Sequence, residues 1–293
     1  MNKQLRKGLP ALLCLLLCVL TAAARAESLY VVDQARNAVH LYNEQNGGYV
    51  DAGDFATSGL DSPTGIAIGP DGSVYVANSG SNTVHKFNVY GNDLGAVLFA
   101  NISAPTAIAI NRSGQIAVAN SATNTVLFDG VTLSNGINDP SGLAFDSKGD
   151  LFIANRGDNT IREYNGTTDL GDFATFGLNQ PTGLAIDGSG NVYAANYGDN
   201  TIHKFSASQS DLGSVFFNNL DGPVALAYSG GVGLAVSNQG NGTVSPGVSG
   251  FGVVTPYGLA FGATVPAPSS ALVALLGLLP LLRGLARRPS RRY

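Results

Sequence analysis

The stretch PTGLAIDGSGNVYAANYGDNTIHKF, residues 181–205, returns in the same order at residues 63–87 as PTGIAIGPDGSVYVANSGSNTVHKF. Each copy opens on an apolar run, passes a glycine turn, continues as a second apolar run ending in Asn, crosses a short loop and closes on alternating residues. That order reads as strand, tight turn, strand, loop, strand. The end of the second strand marks the repeat best: Val31-Val32-Asp33, Val76-Ala77-Asn78, Val118-Ala119-Asn120, Ile153-Ala154-Asn155, Ala194-Ala195-Asn196 and Val236-Ser237-Asn238. The last residues of these six marks lie 45, 42, 35, 41 and 42 apart, the length of a four-stranded propeller blade.

A second mark, Pro-x-(Gly/Ala), falls at Pro63, Pro105, Pro140, Pro181, Pro223 and Pro256 and begins each first strand. Third strands alternate, as in Thr83–Phe87 and Thr201–Phe205, and a more variable fourth strand is expected over Gly95–Phe99, Gly171–Ala174 and Gly213–Phe217. The phase of the ends decides the topology. The body starts at a second strand (Ser28–Asp33) and finishes at a first strand (Tyr257–Gly262). One blade is therefore shared between them, which closes a ring and removes the exposed sheet edges of an open array. The expected fold is an all-β, six-bladed β-propeller. Its weakest blade is the sixth, because residues 240–252 are glycine-rich and contain Pro246.

These units resemble NHL-repeat propellers, whose pattern of Pro-x-Gly-Ile-Ala-Val, turn, Tyr-Val-Ala-Asp, loop and Arg-Ile-x-x-Phe runs over nearly the whole body. One departure is systematic. The family's Asp and the Arg five residues later become Asn78/Thr83, Asn120/Thr125, Asn155/Thr160, Asn196/Thr201 and Asn238/Thr243, with Asp33/Ala38 in the first unit. The paired change points to a neutral hydrogen bond in place of an ion pair, with Asn also capping the turn backbone; the alternative is a ring of amides binding a polar ligand near the channel.

The ends carry different signals. Residues 1–26 hold Lys3, Arg6 and Lys7, an apolar run from Leu9 to Leu20, and Ala24-Arg25-Ala26, the layout of a secretory signal peptide. Both cysteines, Cys14 and Cys18, lie inside it, so the body over 27–264 has no thiol for a disulfide or a metal. Residues 265–293 run from Pro266-Ala267-Pro268 through an apolar segment ending at Leu282 to Arg283, Arg287, Arg288, Arg291 and Arg292. From Ser269 that segment would reach about 21 Å as a helix, short of a roughly 30 Å bilayer core unless the arginine stems snorkel. This tail resembles the PEP-CTERM sorting signal, with Ala267 in place of the glutamate. The resemblance implies a membrane helix held in the inner membrane until an exosortase-type enzyme processes it, and display at the cell surface or in an extracellular matrix; the alternative is an uncleaved C-terminal anchor that stays in the membrane.

The body holds all 20 acidic residues and only seven basic ones, a net charge of −13 that the whole-chain value of −4 conceals. Such a surface repels nucleic acid and anionic lipid. Loops joining strands two and three share one face of the ring with loops joining blades, which puts Asp61, Asp139, Arg156, Asp158, Asn179, Tyr197, Asp199 and Asp221 around one channel mouth. This polar face is the candidate binding surface; turn formation also accounts for many of its Asp and Asn residues. Asp146 and Asp187 sit at the opposite face, where a calcium ion is conceivable. Gluconolactonase-like hydrolases, which hold a metal on Glu, Asn and Asp, and streptogramin lyases, which use two histidines and magnesium, are the enzyme alternatives among related propellers. Glu27, Glu44 and Glu163, the glutamates of the body, lie off the first strands, and His40, His85 and His203 occupy one repeated place in different blades. No catalytic residue and no cofactor is expected, and the reading is a non-enzymatic propeller that binds a protein or an exopolysaccharide.

Overall fold

A computed structural model describes residues 27–45, 48–97, 99–215, 217–245 and 254–263. The expected signal peptide, the Pro266-Ala267-Pro268 motif and the membrane helix lie outside these residues, and among the described residues no helix is long and apolar enough to cross a membrane.

Six sheets follow one another around an axis. The first combines β1 (Glu27–Asp33), β2 (Ala38–Gln45) and β3 (Gly48–Ala56) with β23 (Pro256–Ala263) in the order β23-β1-β2-β3. The next has β4 (Pro63–Ile68), β5 (Val74–Asn78), β6 (Thr83–Phe87) and β7 (Asp93–Val97). Then come β8 (Pro105–Ile110), β9 (Ile116–Asn120), β10 (Thr125–Phe128) and β11 (Val131–Leu133), followed by β12 (Pro140–Phe145), β13 (Asp150–Asn155), β14 (Thr160–Asn165) and β15 (Thr168–Ala174). The last two hold β16 (Pro181–Ile186), β17 (Val192–Asn196), β18 (Thr201–Phe205) and β19 (Asp211–Val215), and β20 (Pro223–Ser229), β21 (Gly233–Asn238) and β22 (Thr243–Ser245). All neighbours pair antiparallel, and β1 pairs β23 from Glu27↔Ala263 to Asp33↔Pro256. The ring is closed as the phase of the repeat predicts. The β20 blade shows three strands among the described residues.

Each sheet is packed on both faces, which explains why second strands read as continuous apolar runs; β13 is buried along its whole length. The core lies between neighbouring blades. Ala77 and Val84 of one blade meet Ile108, Val118 and Leu127 of the next, and Phe152 and Phe173 of the β12 blade, edge to face at 4.9 Å, pack with Leu184 and Phe205 of the blade that follows. Around the axis the first strands approach so closely that only small side chains fit. A Cβ on Gly183 would lie 2.7 Å from the Ala225 Cα, and one on Gly65 2.8 Å from the Ile108 amide nitrogen. This contact is the physical reason for the repeated Gly or Ala two residues after each proline.

Three hydrogen-bonded devices repeat around the ring. The first is the residue ending each second strand, buried in all six blades. The side-chain oxygens of Asn78, Asn120, Asn155, Asn196 and Asn238 accept from the entering loop, at the amides of Asp61, Ser103, Asn138, Asn179 and Asp221, 3.1 to 3.3 Å away. Their amide groups donate to Thr83, Thr160, Thr201 and Thr243 at 3.1 to 3.4 Å, and to the Gly59, Asn101, Gly136 and Gly177 carbonyls. The paired Asn/Thr change therefore does both things expected of it, except that Asn120 donates to Asn101 rather than to Thr125. In the closing blade Asp33 takes over, accepting from the Val254 amide at 2.7 Å and from Thr255 at 3.4 Å. An aspartate suits this place because its partners there are all donors.

The second device crosses between blades. Asn37, Asn82, Asn124, Asn159 and Asn200 have positive φ, tolerated well by Asn, and their side-chain oxygens accept from Ser62, Ala104, Asp139, Gln180 and Gly222 of the following blade at 2.6 to 2.8 Å. The third lies nearer the axis, where the hydroxyls of Thr64, Thr106, Ser141 and Thr182 donate to the Pro105, Pro140, Pro181 and Pro223 carbonyls of the next blade at 2.7 to 2.8 Å.

Fourth strands begin earlier than the sequence reading placed them. Gly53, Gly95, Gly171 and Gly213 have positive φ and sit in bulges inside or beside the strand, each donating its amide to the aspartate two residues before it. These aspartates, absent from the sequence-level strand boundaries, also hold the third strands. Asp93 lies 3.1 Å from His85, Asp211 3.0 Å from His203, and Asp169 accepts two hydrogen bonds from Arg162, at 2.6 and 2.8 Å; in the closing blade Asp54 lies 3.0 Å from His40.

Two stability predictions follow from this packing. Gly183→Ala should overpack the axis and cost about 1–3 kcal/mol in denaturant unfolding, whereas Ala52→Gly on the exposed outer strand should cost less than about 1 kcal/mol. The guanidinium of Arg162 holds the Asp169 carboxyl below the usual carboxylate range. A depressed folded-state pKa gives stability that is present above the unfolded value near 4 and is lost as pH falls through the folded one. Arg162→Ala should therefore cost about 2 kcal/mol at neutral pH, with the difference from the parent shrinking below about pH 4.

Candidate functional site

The residue following each second-strand clasp turns from the sheet toward the axis, because its amide is tied back to the entering loop. Ser79, Arg156, Tyr197 and Gln239 donate to the Ser62, Asp139, Gln180 and Gly222 carbonyls at 2.9 to 3.2 Å, Ser121 to Ala104 at 3.3 Å and Gln34 to Thr255 at 3.2 Å. One side chain per blade, Gln34, Ser79, Ser121, Arg156, Tyr197 and Gln239, consequently lines the mouth of an axial cavity of about 470 Å³. Below this ring the inner strands contribute one aliphatic side chain each, Ile66, Ile108, Leu143, Leu184, Leu226 and Leu259, alternating with the hydroxyls of Thr64, Thr106, Ser141 and Thr182. A cavity of mixed apolar and polar lining has the composition of a ligand pocket.

The expected face is thus the face with the cavity, and its residues sort into three groups. Asp139, Arg156 and Tyr197 line the cavity, and Arg156 Nε donates to Asp139 at 2.8 Å. Tyr197 is 40% exposed. Asp61, Asn179 and Asp221 are not among the lining residues; their side chains lie against Gly80, Gly198 and Gly240, where a Cβ would collide with them. Asp158 and Asp199 also stand off the cavity. Each accepts from the threonine two residues on, Thr160 at 3.0 Å and Thr201 at 2.7 Å, a capping role that Ser81, Thr123 and Asn241 perform in other blades. Two of the most acidic-looking candidates are therefore turn caps.

At the opposite face Asp146 and Asp187 close their own hairpins. Asp146 accepts from the Lys148, Gly149 and Asp150 amides, and Asp187 from Ser189, Asn191 and the Tyr193 hydroxyl. Burial opposes the ionised form of Asp187, but these donors outweigh it and hold its carboxyl below the ordinary range. Among the described residues no group of three or more His, Cys, Asp or Glu side chains is placed to hold a metal ion. The three histidines sit on third strands against their aspartates. Gln34, Ser79, Ser121 and Gln239 were missed in the sequence. They occupy the repeat position of Arg156 and Tyr197, so carrying that position through all six units would have found them.

An NHL repeat model matches residues 60–87 and 178–205, and no curated protein matches the chain. Among solved structures, the nidogen/laminin complex aligns with a TM-score of 0.70 at 19% identity, covering 80% of this chain and 98% of that one. Virginiamycin B lyase from Staphylococcus aureus, bound to quinupristin, aligns with a TM-score of 0.56 at 17% identity over 76% of this chain and 81% of that one. A putative gluconolactonase aligns with a TM-score of 0.56 at 17% identity over 75% and 88%. At such identities the likeness concerns the fold alone. The chain is an all-β, six-bladed propeller, two stretches of which match the NHL repeat.

Proposed function

We propose that this protein is an exported, non-enzymatic binding propeller that presents the rim of its axial cavity to a protein or an exopolysaccharide at the cell surface or in an extracellular matrix. The observation that carries the reading is the rim itself, six side chains of four kinds, Gln, Ser, Arg and Tyr, mounted at one repeated position on an otherwise uniform scaffold. Recognition needs such variety at fixed places, and a rigid ring supplies it at low entropic cost. The propeller in the nidogen/laminin complex, a protein–protein assembly, is consistent with a partner of this kind. The lyase and gluconolactonase neighbours make a metal-dependent lactonase-like or lyase-like enzyme the competing reading. In this chain His85 and His203 are engaged by aspartates and His40 is buried beside Asp54, all on third strands, and the one carboxylate lining the cavity among the described residues, Asp139, is engaged by Arg156.

Export rests on the sequence of the ends. A charged, apolar and small-residue order over 1–26 and the Pro266-Ala267-Pro268, apolar and arginine order over 265–293 support passage through the inner membrane followed by exosortase-type processing.

Two experiments test this. Binding of the exported protein to glycan and protein arrays should yield a ligand whose affinity falls at least tenfold in Arg156→Ala combined with Tyr197→Ala, and stays within twofold in Asp158→Ala combined with Asp199→Ala; turnover of a lactone panel with a bound divalent ion would defeat the reading. Mass spectrometry of the exported protein should show a chain lacking the arginine cluster, and an intact peptide through Arg292 would remove the sorting proposal.

A further inference from the structure

The rim is not uniform in what its side chains have left to offer. On one side Ser79 and Ser121 donate their hydroxyls to the Ser62 and Ala104 carbonyls at 2.8 and 3.1 Å, and Arg156 is held by Asp139. On the other side, over three consecutive blades, the side chains of Tyr197, Gln239 and Gln34 make no hydrogen bond among the described residues. Tyr257, on the innermost strand of the closing blade, lines the cavity beside this arc with its hydroxyl equally unengaged. Tyr197 and Gln239 are neighbours through Gly222, whose carbonyl accepts from the Gln239 amide at 2.9 Å, and a Cβ on Gly222 would come within 3.1 Å of Tyr197 Cε2. The Tyr197 ring is thus braced on the loop that carries Gln239.

Two carboxamides without a hydrogen-bond partner among the described residues, each with two donors and two acceptor sites, and two tyrosines, each an apolar ring with a hydroxyl tip, form a largely uncharged surface. Such a surface complements a molecule whose hydroxyls both donate and accept and whose C–H faces lie flat on aromatic rings. The surrounding field discriminates further, because a body of net charge −13 opposes an anionic ligand. We infer that the arc Tyr197, Gln239, Gln34 and Tyr257 is a subsite for a neutral saccharide. This rests on the binding reading above and narrows it to one ligand class.

The test uses the full exported protein and three probes, cellohexaose, maltohexaose and a hexameric oligoguluronate, followed by titration calorimetry. At least one neutral hexaose should bind, and the oligoguluronate at least tenfold more weakly. Tyr197→Ala should weaken binding at least tenfold, Tyr197→Phe no more than about threefold, and Gln34→Ala and Gln239→Ala about fivefold or more, with unchanged melting temperatures. Arg112→Ala and Lys148→Ala, on the opposite face, should leave affinity within twofold. Preference for the uronate, or neutral binding indifferent to Tyr197, overturns the inference. If no sugar binds but a protein from the array is captured and lost in the combined Arg156 and Tyr197 variant, the saccharide subsite is refuted while the binding face stands. If no array ligand responds to that combined variant, both fall.

Discussion

The structure depends on one buried polar side chain per blade, set at the end of the second strand and bonded to the loop that brings the chain in from the preceding blade. A propeller must bury every such loop entrance against its neighbours, and each buried amide left unpaired would cost about 1–3 kcal/mol. Asn78 and its equivalents solve this by accepting from one loop amide and donating to a loop carbonyl or the turn threonine. At the closing blade the loop comes from the far end of the chain, and Asp33 meets Val254 and Thr255 across more than two hundred residues. The clasp that organises every blade locally is there the latch of the whole ring.

Much of this fold was legible because its constraints are periodic. The Pro-x-(Gly/Ala) mark and the Asn/Thr pair follow from contacts repeated around the ring, and the phase of the two ends from where that repeat starts and stops, so self-comparison reveals them without any partner residue being known. Less legible was whatever depends on registry between strands. Gly95, Gly171 and Gly213 looked like strand starts, yet each is a bulge whose aspartate two residues earlier already pairs with the third strand. The D-x-G spacing was visible, but its meaning required knowing that His85, Arg162 and His203 lie opposite. The candidate site divided in the same way. Which loops share a face with the cavity mouth followed from chain direction, whereas the sorting of Asp158 and Asp199 from Arg156 and Tyr197 depended on which way a turn aims a side chain.

The electrostatics follow the same division between scaffold and site. Of the body's seven basic residues, Lys86, Arg156, Arg162 and Lys204 are paired with aspartates of their own or neighbouring loops. Part of the remaining negative charge, on Asp51, Asp93, Asp146 and Asp211, is held by backbone amides of hairpins and bulges. At long range the acidity of the body repels anions, while the one charged pair of the rim, Arg156 with Asp139, leaves it nearly neutral.

The asymmetry of the rim also has a counterpart in the way the blades are joined. Four of the six joints carry both the crossing asparagine and the axial hydroxyl. The joint from the closing blade to the β4 blade keeps Asn37 but has Tyr257 in the hydroxyl position, and the joint from the β20 blade to the closing blade has Val224 and Gly242 in place of both. These two joints flank the closing blade, and the side chains that replaced the staples, Val224 and Tyr257, line the cavity beneath Gln239 and Gln34. A hydroxyl that donates to a neighbouring blade has no proton left to donate to a ligand, whereas the hydroxyl of Tyr257, at a position released from that duty, keeps its own. Concentrating that loss where Asp33 supplies three compensating bonds lets the ring close and still keep one side of its mouth open to chemistry.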